Sequence, residues 1–120
     1  MAATALGQHN FETTITDNQI VLVDFWASWC GPCRMFAPIY EKASEEHPDI
    51  VFGSVNTEEE QALSAAAGIS SIPTLMAFKD GSLVFAQAGA LPAPALSELI
   101  GAVRALDIEA ARAEAAAKEA

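Results

Sequence analysis

Cysteine is scarce in this chain: there are two among 120 residues. That excludes a secreted scaffold held together by several disulfides. Basic residues are scarce too, six against 16 acidic, for a formal charge of −10. A nucleic-acid binder needs a Lys/Arg patch, so no nucleic-acid partner is expected. No run of about 18 apolar residues occurs. The start, Met1-Ala2-Ala3-Thr4-Ala5-Leu6, has neither a basic segment nor a long apolar one. No membrane span and no signal peptide are therefore expected, and a cytoplasmic setting is the default. Apolar residues make up 52% of the chain, which argues against disorder except at the ends. The length fits one domain with a real core.

What is present centres on Trp29-Cys30-Gly31-Pro32-Cys33, which holds both cysteines. The apolar run Ile20 to Ala27 before it reads as a buried strand. Arg34 to Ala43 after it reads as a helix. The two sulfurs thus sit where a strand turns into a helix. The first helical turn has unpaired N–H groups and the positive end of the helix dipole, and both favour a thiolate. Residues i and i+3 share a helix face, so the sulfurs can reach bonding distance. Pro32 suits a first turn because its missing N–H has no partner there. Gly31 leaves room for a second backbone to approach. A reversible dithiol follows if one thiol is open and its pKa is lowered.

Two other readings compete. CxxC can be half of a zinc site, but zinc takes four ligands. Only His9 and His47 remain as soft donors, and neither has ligand spacing to the cysteines. No metal is therefore assigned. A structural disulfide would close a very small loop and constrain the unfolded chain little. The redox reading is favoured, because CxxC lies beside a βαβ pattern.

In chain order, residues 3–6 form a candidate edge strand and Asn10 a candidate N-cap for a helix to about Ile15. The strand at 20–27 is apolar on both faces, as at the centre of a covered sheet. Its exception is Asp24, a carboxylate costly to bury unless paired or neutral. Six residues before Cys30, it reads as a proton carrier with a raised pKa. Pro38 lies inside the next helix and is expected to kink it. His47-Pro48-Asp49 ends that helix, with His47 an exposed last-turn residue. Ile50–Val55 reads as a strand, and Thr57-Glu58-Glu59-Glu60 as a capping box for a helix to about Ala67. Leu75–Phe78 and Leu83–Ala86 read as strands joined at Asp80-Gly81, a strong hairpin signal. An amphipathic helix runs from about Pro94 to Leu106. The tail, 107–120, is alanine- and charge-rich with no strong face. It reads as a helical or frayed extension that Asp107 could cap. The order predicts an α/β domain at 1–106: a mixed sheet of five strands, three parallel and then a hairpin, flanked by four helices.

These residues resemble the thioredoxin family over roughly 4–106. The shared motifs are Val23-Asp24-Phe25-Trp26-Ala27, Trp29-Cys30-Gly31-Pro32-Cys33, Ala37-Pro38, Ile72-Pro73-Thr74, Phe78-Lys79-Asp80-Gly81 and Gly89-Ala90. The resemblance implies the thioredoxin fold and a disulfide reductase. Cys30 would be the exposed nucleophile and Cys33 the buried resolving thiol. Asp24 would handle the Cys33 proton, through water. Pro73 would be cis, with the Ile72 backbone pairing with substrate. Trp29, Gly31, Pro32, Ile72, Gly89 and Ala90 would complete a flat docking surface, with Trp26 and Pro38 as structural neighbours. Electrons would come from a separate thioredoxin reductase, a flavoprotein using NADPH. Partners would be disulfide-containing clients, and the chain itself would be a monomer without a cofactor.

Two positions depart from the family pattern. Ser54 stands where many bacterial members carry a lysine near the buried aspartate. Ser71 stands where glycine is common, two before the proline. Two rival functions fit the same fold: an oxidase or isomerase, and a binding module or holdase that uses the tail as an interaction helix.

Overall fold

The computed structural model describes residues 3–119. Its centre is β2 (Ile20–Trp26), whose residues are buried except for the half-buried Trp26. Leu22, Asp24 and Trp26 face one side of the sheet, and Val21, Val23 and Phe25 the other. That alternation makes two apolar layers. Leu22, Phe36, Phe52, Leu75, Leu96 and Ile100 fill the first. Ile15, Val21, Val23, Phe25 and Val55 fill the second. Each large side chain buried this way contributes about 1.5–3 kcal/mol.

The remaining elements are β1 (Ala3–Ala5), α1 (Phe11–Asp17), α2 (Gly31–Glu46), β3 (Val51–Asn56), α3 (Gln61–Ala66), β4 (Thr74–Lys79), β5 (Ser82–Ala88), α4 (Ala93–Ala105) and α5 (Ile108–Glu119). The sheet order is β1-β3-β2-β4-β5. The first three strands run parallel. β4 and β5 are antiparallel to their neighbours. This is the predicted mixed sheet with its terminal hairpin. At the hairpin Asp80 and Gly81 take positive φ, 51° and 80°. That is the turn for which Asp-Gly is suited.

Local details differ from the sequence expectations. Asn10 occupies the N-cap of α1 but bonds no first-turn N–H of that helix. Its carboxamide accepts from Gly7 N and donates to Ala5 O, tying the preceding turn instead. The capping box at Thr57–Glu60 does not form. Thr57 is committed to the end of β2, where its N–H and its hydroxyl both donate to Trp26 O at 2.9 and 3.0 Å. Helix α3 therefore starts later, at Gln61, and Glu60 accepts from Gln8 N. Helix α2 runs through Pro38 from Gly31 to Glu46. His47 is its C-cap and lies against Arg104, which grips Asp49 with both guanidinium arms.

The tail forms α5. Asp107 Oδ1 accepts the Ala110 N–H at 3.1 Å, and Ile108 is buried. Arg112 reaches the hairpin, donating to Ser82 Oγ at 2.7 Å and Asp80 O at 3.3 Å. Neighbouring Lys79 is buried and donates from Nζ to Val103, Arg104 and Leu106 carbonyls at 2.9, 2.8 and 2.7 Å. A cation satisfies the orphan carbonyls at a helix C-terminus in this way.

Candidate active site

The register gathers the candidate residues at one end of the sheet. β2 ends at Trp26 and delivers the chain to Cys30. Antiparallel β4 begins opposite that end, pairing Phe25 with Thr74. β5 ends there as well, pairing Thr74 with Ala88. Pro73 and Gly89 therefore lie beside the CxxC turn, and Gly89 N donates to Pro73 O at 2.8 Å. Gly89 has φ of 106°, a conformation a side chain would strain. The Ile72–Pro73 bond is cis.

Cys30 and Cys33 are joined as a disulfide with their Cα atoms 5.2 Å apart. Cys30 is the N-cap of α2, and its sulfur accepts the Cys33 N–H at 3.1 Å. Pro32 lies in the first turn, as its missing N–H allows. The expected contrast of an exposed Cys30 and a hidden Cys33 is absent in this oxidised form: each is 4% exposed. Cys30 Sγ is covered by its bonded partner and by the Cys33 N–H that it accepts at the N-cap. The two differ in their neighbours instead. Cys33 lines the cleft that holds Asp24, together with Trp26, Ala37, Tyr40 and Ser54.

That cleft has a volume of about 370 Å³. Asp24 is 5% exposed within it, and its Oδ1 has no hydrogen-bond partner among the described residues. Burial pushes its pKa up from 3.8 to about 7. Burial, and after it the nearby Asp24 charge, also holds the Tyr40 phenol well above its ordinary value. Ser54 pairs directly with Asp24 across β2 and β3, so the departure noted in the sequence falls beside the carboxylate.

Trp29 is 66% exposed. With Ile72 and Ser71 it borders a groove of about 520 Å³ that continues to Gln61, Ser64 and Ile69. Gly31, Pro32, Gly89 and Ala90 are exposed. Trp26 lies on the Asp24 cleft as expected. Pro38 does not; it lines a separate groove between α2 and α4 with Ile39, Lys42 and Leu96. It follows Ala37 by one residue, which rotates it off the face that carries Cys33. Tyr40 was given no place at the site by the sequence analysis. Its signal was there: Cys33, Ala37, Tyr40 and Glu41 follow helical spacing and share the cleft. Among the described residues, no group of three or more His, Cys, Asp or Glu could hold a metal ion.

A bonded sulfur pair at a helix N-terminus, one sulfur beside a buried acid, defines a dithiol–disulfide oxidoreductase site on a mixed α/β sheet. The comparisons agree. The Thioredoxin family model matches residues 2–102. A Streptomyces coelicolor protein provisionally named thioredoxin 2 is 54% identical over 115 residues, covering 96% of this chain and 86% of its own. That match extends past residue 106 into the tail. Thioredoxin 1 of Synechococcus elongatus is 43% identical, covering 82% of this chain and 94% of its own. Among solved structures, a mutant thioredoxin of Halobacterium salinarum aligns with TM-score 0.81 at 36% identity, covering 88% of this chain and 93% of that one. The chain belongs to the thioredoxin family, and it is a protein disulfide oxidoreductase.

Proposed function

We propose that the chain works in the reducing direction, opening disulfides in client proteins and so contributing to redox homeostasis in the cytoplasm. Cys30 attacks the client disulfide and forms a mixed disulfide. Cys33 then displaces the client and closes the bond seen here. The N-cap position gives the Cys30 thiolate a backbone N–H and the positive end of α2. Asp24 takes the Cys33 proton, a task suited to a buried carboxylic acid with a pKa near the working pH. Clients lie across Trp29, Gly31, Pro32, Ile72, Pro73, Gly89 and Ala90. The spent disulfide is reduced by a flavin- and NADPH-dependent thioredoxin reductase, which makes the chain a monomeric electron carrier with no cofactor of its own.

The observation that carries this reading is the Cys30–Cys33 bond at the head of α2 with Cys33, not Cys30, on the acid's cleft. Insulin reduction coupled to NADPH oxidation tests it. Cys30→Ser abolishes turnover. Cys33→Ser accumulates a mixed disulfide with the client, visible by mass spectrometry. Full turnover by Cys30→Ser ends the reading.

A further inference from the structure

The cleft beside Cys33 carries polar side chains on both its strand wall and its helix wall. Its apolar lining includes Ala3, Ala5, Ala27 and Ala37. Of its polar side chains, most are already engaged. Tyr40 donates its hydroxyl to Gly53 O at 2.7 Å. Ser28 donates to Glu58 and Arg34 to Ser28 O. Glu41 has a partner of its own. Besides the Trp26 indole N–H, which can only donate, two groups remain with no hydrogen bond to the described residues: Asp24 Oδ1 and the Ser54 hydroxyl. They stand on adjacent strands in direct register and face the same cleft as Cys33. A buried water needs two to four polar partners and room to sit, and this corner offers both.

We propose that Ser54 is a positioning residue for the resolving step: its hydroxyl holds the water that joins Asp24 to the Cys33 sulfur. This rests on the roles given above to Cys30 and Cys33. In the mixed disulfide Cys33 is a thiol. Its proton passes to the water, which passes one to the Asp24 carboxylate. The Cys33 electron pair attacks Cys30 Sγ and forms the Cys30–Cys33 bond. The Cys30–client bond breaks, and its electron pair leaves on the client sulfur as a thiolate. With Ser54 absent, the water keeps only the carboxylate and a sulfur, a weak partner. The groups that face Asp24 are Ser54 from β3, Cys33, Arg34, Tyr40 and Glu41 from α2, and Leu75 from β4. Trp26 from β2 also lines the cleft, but its indole N–H can only donate, whereas the Ser54 hydroxyl can both accept from a water and donate to it.

The test is stopped-flow reaction of the reduced full chain with 5,5′-dithiobis(2-nitrobenzoate). The first thionitrobenzoate released reports attack by Cys30, and the second reports resolution by Cys33. Ser54→Ala slows the second phase about tenfold at pH 6–8, a fraction of the 10²–10⁴ that a positioned acid or base supplies. It leaves the first phase unchanged. Ser54→Thr, which keeps the hydroxyl, restores the second phase to within about twofold. In an Asp24→Asn background, Ser54→Ala costs nothing further, because the water has lost its destination. A second phase within about twofold of the parent from pH 5 to 9 overturns the proposal. So does an equal slowing by Ala and Thr, or a full additional loss in the Asn background. Should Cys30 not be the attacking sulfur, the first phase of the parent protein fails instead, so the two readings fail separately.

Discussion

Asp24 and Lys79 are both buried charged residues on adjacent strands, 5% and 6% exposed. Neither has a counter-ion among the described residues. They sit at opposite ends of the β2–β4 pair, where Asp24 faces Leu75 and Lys79 faces Ile20. Lys79 places three donors on three carbonyls at the end of α4, where the helix dipole also favours a cation. Its ammonium is fully satisfied. Asp24 keeps an oxygen with no donor among the described residues. Burial is therefore no mark of function by itself. An unsatisfied valence beside a reactive sulfur is, because the chain bears its cost without a structural return.

The largest expected effect comes from removing the unsatisfied charge. Folding raises the Asp24 pKa from 3.8 to about 7, so the folded state holds this proton more tightly than the unfolded chain. Below about pH 4 the group is protonated in both states and contributes nothing. Between 4 and 7 ionisation favours the unfolded chain increasingly, and above 7 the penalty is constant. The gap between the two values corresponds to about 4 kcal/mol. Asp24→Asn therefore gains up to about 4 kcal/mol at pH 8.5, falling to about 1 kcal/mol at pH 4.5, in guanidinium unfolding of the oxidised form. A gain that does not vary with pH erases the contrast with Lys79.

Lys79→Met reverses the sign. It strands the carbonyls of Val103, Arg104 and Leu106 and costs about 3 kcal/mol, in the range for hydrogen bonds to a charged group. Insulin reduction by the folded fraction is unchanged. A reduction rate that falls with stability intact makes Lys79 part of the site after all.

The sequence made Asp24 legible and left Lys79 mute, for a physical reason. A carboxylate inside an apolar run is anomalous locally, whereas a lysine at a hairpin end looks like any solvated residue. Its partners lie 24–27 residues further along the chain, and only the packed fold brings them together. The succession of elements along the chain, the parallel-then-hairpin arrangement and the helix start at CxxC were readable from apolar periodicity and turn residues. The capping box was misread because its threonine had a tertiary claim on it, the Trp26 carbonyl. The near-equal burial of Cys30 and Cys33 was not legible, because periodicity places a sulfur along the chain and says nothing of how the surrounding turn covers it. The cis bond before Pro73 came only through family resemblance, since about 5–6% of X–Pro bonds are cis in general.

The smallest effect sits at the Lys79 end, where α5 is anchored. Arg112 bridges this helix to Ser82 and Asp80, the turn that immediately follows Lys79. Arg112 and Asp80 are exposed and Ser82 is half-buried, so solvent screens most of the interaction and Arg112→Ala costs about 0.5 kcal/mol. High salt removes the part owed to the exposed Arg112–Glu109 ion pair, whose charged atoms are 3.8 Å apart, and leaves the part owed to the hydroxyl and carbonyl acceptors. Since Lys79 and Arg112 hold opposite sides of one junction, their effects are expected to couple: the Arg112→Ala cost in a Lys79→Met background departs from its value in the parent chain by about 0.5 kcal/mol or more. Paired with Asp24→Asn, at the other end of the sheet, Arg112→Ala adds independently. Coupling to Asp24 instead would join the tail to the active site and dissolve the division between the two buried charges.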